Sequence, residues 1–127
     1  MGTGAYTVVL GSQPAAEDII TAYIDGGSAQ AVTVTRHDSS VALTGINLNV
    51  DTLILRSETA TAITDFDAVQ ANDGDPDIVA IYGDLPANIT TATGKDLIIN
   101  TGDTFAPAFD TFVGGDFTNN GTYDEAS

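Results

Sequence analysis

Short apolar runs separated by turn residues dominate the chain. Tyr6-Thr7-Val8-Val9-Leu10, rich in β-branched and aromatic residues and closed by Gly11, predicts a first strand. Residues 14–25 admit two readings. Ser12, Pro14, Glu17 and Asp18 make a helix start, with Ile19, Ile20, Tyr23 and Ile24 at helical spacing. The stretch Ile19 to Asp25 is equally rich in strand formers and faces Ala31-Val32-Thr33-Val34-Thr35 across Gly26-Gly27-Ser28, the pattern of a hairpin. The hairpin is the favoured reading. Further strands are expected at Leu43, Ile46, Leu48 and Val50, at Leu53 to Leu55, at Ile78, Val79 and Ile81, and at Leu97 to Ile99. No interval between these runs supports a long helix. The pattern therefore predicts an all-β fold, a β-sandwich or short β-solenoid with at most one short helix. It is read as a single β-rich domain over residues 1–127 with an extended C-terminal tail from about 114 to 127.

Size and composition permit this reading. A chain of 127 residues with 43% hydrophobic content is long enough to bury one core without metal or disulfide staples. Charge narrows the partners. Three Lys and Arg against 18 Asp and Glu give 3 − 18 = −15, and with only Arg36, Arg56 and Lys95 available no basic patch can be built. Nucleic acid and anionic membrane are thus expected not to be partners, whereas a basic protein surface or divalent cations suit this charge. Cysteine is absent, which excludes thiolate chemistry and Cys-ligated metals. No signal-peptide pattern opens the chain and no apolar run reaches the ~20 residues of a membrane span.

Catalytic constellations are thin. His37 is the lone histidine, and its neighbours Asp38 and Ser39 make no triad by adjacency, so it reads as part of a solvated turn. Gly94-Lys95 continues with Asp96 where a phosphate loop needs Ser or Thr. A chain without Trp and with 7% aromatics offers little to grip a sugar between paired carboxylates, and the protein is read as not an enzyme. The densest acid cluster is Asn72-Asp73-Gly74-Asp75-Pro76-Asp77. Asp73, Asp75 and Asp77 are the candidate metal ligands, for calcium, although Ile78 stands where an EF-hand loop requires Gly; a solvated acidic loop is the alternative. No other cofactor is expected.

Phe105, Phe109, Phe112 and Phe117 cluster around Pro107, with Tyr123 following. They either fill the core or form a subunit interface, where aromatics are enriched. Gly94-Lys95-Asp96-Leu97-Ile98-Ile99-Asn100-Thr101-Gly102-Asp103-Thr104-Phe105, followed by Val113-Gly114-Gly115-Asp116-Phe117-Thr118-Asn119-Asn120-Gly121-Thr122-Tyr123, resembles the rung repeats of β-solenoid surface proteins. That resemblance implies strand stacking and no activity. As a short, Cys-free, acidic chain rich in Thr and Gly, it is also similar in style to head decoration (cement) proteins of tailed bacteriophages. This second resemblance implies a structural virion protein on the virion surface, a homo-oligomer with a trimer favoured, clamping a major capsid or other virion protein. A phage tail or fibre component, or an extracellular carbohydrate- or cell-surface-binding module assisted by calcium, is the alternative.

Overall fold

The computed structural model describes residues 4–85 and 88–125. Strand β1 (Ile19–Tyr23) and strand β2 (Val32–Arg36) form an antiparallel hairpin, which decides the ambiguous stretch in favour of a strand. Three parallel pairings follow in the same sheet. β2 pairs with β3 (Thr52–Ser57), β3 with β6 (Asp96–Ile99), and β6 with β9 (Phe117–Asn119), so the sheet order is β1-β2-β3-β6-β9. Between β3 and β6 lie helix α1 (Asp65–Ala71), helix α2 (Pro76–Val79), and the antiparallel pair β4 (Tyr82–Leu85) and β5 (Asn88–Thr91). The remaining strands are short: β7 (Thr104–Phe105), β8 (Thr111–Phe112) and β10 (Thr122–Tyr123). β7 pairs in parallel with β10 and through a single bridge with Ile63, while β8 adds in parallel to β5. From β6 onward the chain therefore visits three sheets in turn and returns to the first, laying one layer on the previous one.

In-register parallel pairing stacks like on like. Val32, Leu53, Leu97 and Phe117 form one inward column; Val34, Leu55, Ile99 and Asn119 form the next. Successive strand residues point to opposite faces, so the alternate positions Thr33, Ile54 and Ile98 stack on the outer face. Loop residues cover part of that face: Thr33 Oγ1 donates to Asn47 O, Arg56 Nη1 to Thr44 O and Tyr6 Oη to Ile46 O. Burial of both faces explains why β2 and β3 are nearly continuous apolar and β-branched runs. The inward columns join Ile63, Ala68, Ile78, Ile81, Tyr82, Ile89 and Phe105 in one core.

Several expectations fail. The fold is mixed α/β, with two helices among the described residues and parallel-strand sheets, so the all-β sandwich or solenoid with at most one short helix, and the description of the protein as β-rich, are both corrected. Ile78 and Val79 lie in α2 because Asp75 caps it, accepting Asp77 N–H at 2.9 Å, and Pro76 supplies a first helical residue whose missing N–H costs nothing. α1 begins at a capping box in which Thr64 Oγ1 accepts from Asp67 N and Asp67 Oδ2 accepts from Thr64 N. Tyr6 to Leu10 and the stretch from Val41 to Val50 form no strand; Val8, Val9 and Val41 are exposed, and strand composition without a ladder partner does not make a strand. The expected C-terminal tail contains the strands β9 and β10 at residues 117–119 and 122–123, which raises no correction.

Candidate functional site

Three places on this frame concentrate chemistry or unburied apolar surface. The first is lateral. Asp65, 2% exposed at the start of α1, accepts Ala108 N–H at 3.0 Å and Phe109 N–H at 2.8 Å through Oδ2, and Phe66 N–H at 2.9 Å through Oδ1. A buried carboxylate that satisfies three backbone donors fixes the loop after β7 against the helix. On either side of this clamp, Phe66 is 65% exposed and Phe109 55% exposed, and Phe112 on β8 is also exposed. Phe105, the first of the four clustered phenylalanines, is fully buried in the core.

The second place is the end of the stack. β8, β9 and β10 are all final strands of their sheets and lie in the last layer. Phe117 continues the Val32–Leu53–Leu97 column yet is 46% exposed, because no further layer covers it. Tyr123 packs edge-on against both Phe105 and Phe117, each at a ring separation of 5.8 Å. Thr111, Val113, Phe117 and Tyr123 line an open, mainly apolar depression there. The layer sits close on the one below. A Cβ at Gly114 would fall 2.1 Å from Ala92 O, and one at Gly121 2.2 Å from Asp103 O, so glycine is required at both corners. Asp96 Oδ1 accepts Asp116 N–H and Thr91 Oγ1 accepts Gly114 N–H, each at 2.8 Å. At the opposite end the sheet finishes in β1, which runs antiparallel to β2, is half-buried along its length, and donates from Thr21 Oγ1 to Ala71 O at the end of α1.

The third place is acidic. The structure brings Asp75 and Asp77 together with Asp25, their carboxylate oxygens within 4.8 Å of one another. Asp73 is placed differently, its Oδ1 accepting Asp75 N–H at 3.1 Å. Asp75 Oδ2 accepts Tyr23 Oη–H at 3.3 Å and Asp77 Oδ2 accepts Gly26 N–H at 2.8 Å. Burial first, and then the negative charge of Asp75, push the Tyr23 phenol above its ordinary value of 10.0. Asp25, Asp75 and Asp77 are hard oxygen donors suited to calcium; one oxygen apiece supplies three of the roughly six to eight it takes. Asp25 lies some fifty residues upstream in another turn, which local spacing has no means to reveal.

Two further polar side chains, His37 and Arg36, are held within the fold. His37, expected on a solvated turn, is 3% exposed; its Nδ1 lies 3.1 Å from Glu58 Oε2, and its buried Nε2 meets no hydrogen-bond partner among the described residues. Arg36 borders a cleft with Leu10, Pro14, Ile20 and Gln70, but its guanidinium is paired with Asp67 and Glu17. No helix among the described residues is long and apolar enough to cross a membrane. Comparison with protein families, curated proteins and solved structures yields no match to this chain.

Proposed function

We propose that this chain is a non-catalytic structural subunit that associates with further copies of itself to build or reinforce a larger assembly, with head decoration on a bacteriophage virion surface as the specific form of that role. One observation carries the reading: Phe66 and Phe109 stand in solvent on a helix and a loop that the buried Asp65 holds rigid. Exposed rings on fixed backbone lose little conformational freedom when covered, which is what an interface anchor needs. The lone histidine is buried with its Nδ1 against Glu58, a placement that favours a structural role for it.

Sedimentation velocity and light scattering over a range of concentrations test this. The expected result is a concentration-dependent oligomer that the double substitution Phe66→Ser with Phe109→Ser dissociates while the melting temperature stays within a few degrees. A protein that is monomeric at every concentration, with or without the substitutions, overturns it.

A calcium-assisted surface-binding module is the second reading, favoured by the convergence of Asp25, Asp75 and Asp77. Calcium that raises the melting temperature more than magnesium does, with the excess lost in Asp77→Asn, supports it; equal increments show mere screening of like charges and remove it.

A further inference from the structure

The end of the stack formed by β8, β9 and β10 joins outward backbone groups, apolar surface and charge in one place. In a parallel ladder alternate residues direct their N–H and C=O groups to the same neighbour. β9 meets β6 through Asp116 O, which accepts Leu97 N–H, and through Asn120 N–H, which donates to Ile99 O. The groups of Phe117 and Asn119 therefore face the opposite, open side. β10 meets β7 through Thr122 N–H to Asp103 O and Asp124 N–H to Phe105 O, which turns the groups of Tyr123 the same way. Beside these backbone groups lies the apolar depression of Thr111, Val113, Phe117 and Tyr123. A row of outward backbone donors and acceptors next to an apolar floor is the recognition surface for an added strand.

Charge decides which strand. Asp110, Asp116, Asp124 and Glu125 are exposed around this end, and no Lys or Arg follows Lys95 in the chain. A second copy docking by the same end would bring acid onto acid. A copy docking by its β1 end would do likewise, since Glu17, Asp18 and Asp25 are exposed there. Like-charge juxtaposition suppresses both arrangements, whereas a basic segment complements the rim.

We infer that the open end, β8, β9 and β10, accepts an extended segment of a different protein, one with apolar side chains at alternate positions and Lys or Arg between them. The apolar residues cover Phe117 and Tyr123, the backbone extends the sheet on β9, and the basic residues meet Asp116 and Asp124. The residues this inference uses, Phe117, Asn119 and Tyr123, differ from Phe66 and Phe109, so it names a second partner beyond the self-association proposed above.

The test titrates the isotope-labelled 127-residue protein with a short synthetic peptide of alternating Lys and Val, followed by amide shifts and hydrogen exchange. The expected result is binding that weakens with added salt and slows exchange at Phe117, Asn119 and Tyr123. A peptide of alternating Glu and Val, and one of alternating Lys and Ser, should each bind at least tenfold more weakly. Asn119→Ala and Asn119→Pro both lose the Oδ1 acceptor of Gly121 N–H, and only the proline also loses the outward-facing N–H, so Asn119→Pro should bind about fivefold more weakly than Asn119→Ala, the worth of one hydrogen bond; Phe117→Ser, which trims the apolar floor, should weaken binding about tenfold. The inference is overturned if the Lys and Val peptide does not bind, if it maps elsewhere on the acidic surface, or if the Glu and Val peptide binds as well. Concentration-dependent shifts at Phe117, Asn119 and Tyr123 without peptide also overturn it, by making a second copy the occupant. Light scattering on Phe66→Ser with Phe109→Ser reports on the lateral proposal independently, so the two stand or fall apart.

Discussion

Phe117 sits directly over Leu97 in the parallel ladder, yet Leu97 is fully buried and Phe117 is 46% exposed. The same column position thus has two energetic characters, core in one layer and surface in the next. Leu97→Ala removes buried methyl groups and leaves a cavity, and is expected to cost about 2–5 kcal/mol in urea denaturation. Phe117→Ala, which loses contact mainly on one side, is expected to cost about 1 kcal/mol or less. Equal losses would mean that Phe117 is as much a core residue as Leu97.

The Asp65 clamp makes a separate prediction. Asp65→Ala leaves the N–H groups of Ala108 and Phe109 without their acceptor, at a cost of about 1–3 kcal/mol. Amide exchange should accelerate at both residues while β2 and β3 stay protected. Unchanged exchange at Ala108 and Phe109 would show that the loop is held by something other than this carboxylate.

Corner glycine is a requirement of spacing. In Gly121→Ala the new methyl carbon would meet the carbonyl oxygens of Asp103 and Asn100 at 2.2 and 2.5 Å, both backbone atoms that cannot swing aside. The substitution is expected to cost about 1–3 kcal/mol and to raise exchange at Thr122, whose N–H donates to Asp103 O. Gly74→Ala serves as the comparison, because open space surrounds that position and only its positive φ of 85° opposes the change.

Alkaline behaviour follows from Tyr23. Burial, reinforced by Asp75 and Asp25, raises the folded phenol above 10.0, so the neutral form is favoured in the folded state. A group whose folded value is raised contributes stability that is fully present below its unfolded value and is lost as pH climbs through the folded one. Tyr6 acts in the same direction, burial outweighing the attraction of Arg56. Thermal melts should therefore fall off above pH 10.0, and Tyr23→Phe should lessen that fall, at a small cost near neutrality from the lost hydrogen bond to Asp75. Phenolate absorbance should show at least one tyrosine titrating late, and its disappearance in Tyr23→Phe assigns it.

Part of this architecture is legible in the residue order. Val32-Thr33-Val34-Thr35, Leu53-Ile54-Leu55 and Leu97-Ile98-Ile99 announce buried strands because a strand covered on both faces has no polar alternation to keep. The hairpin at Gly26-Gly27 is less plain, because Ile19, Ile20, Tyr23 and Ile24 also fit helical spacing, and the ladder to β2 decides it. Ile78-Val79 misleads for a local reason: an apolar pair has the same appearance in a strand and in one turn of helix, and the deciding residues are the cap Asp75 and Pro76 before it. Thr64 and Asp67 carry the signal for α1 at the correct capping spacing. Tyr6 to Leu10 shows the converse, since strand composition is idle where no neighbour supplies a ladder. Sites assembled across the chain are illegible in principle. Asp25 reaches Asp75 and Asp77 only after β1 folds back beside α1, and the burial of Phe105 against the exposure of Phe109 depends on which side of a layer each one turns.

A sheet bounded by an antiparallel strand at one edge and by a parallel strand at the other has a direction, like an arrow. The two edges present different backbone patterns, so a strand added beside β9 and a strand added beside β1 would meet chemically distinct neighbours.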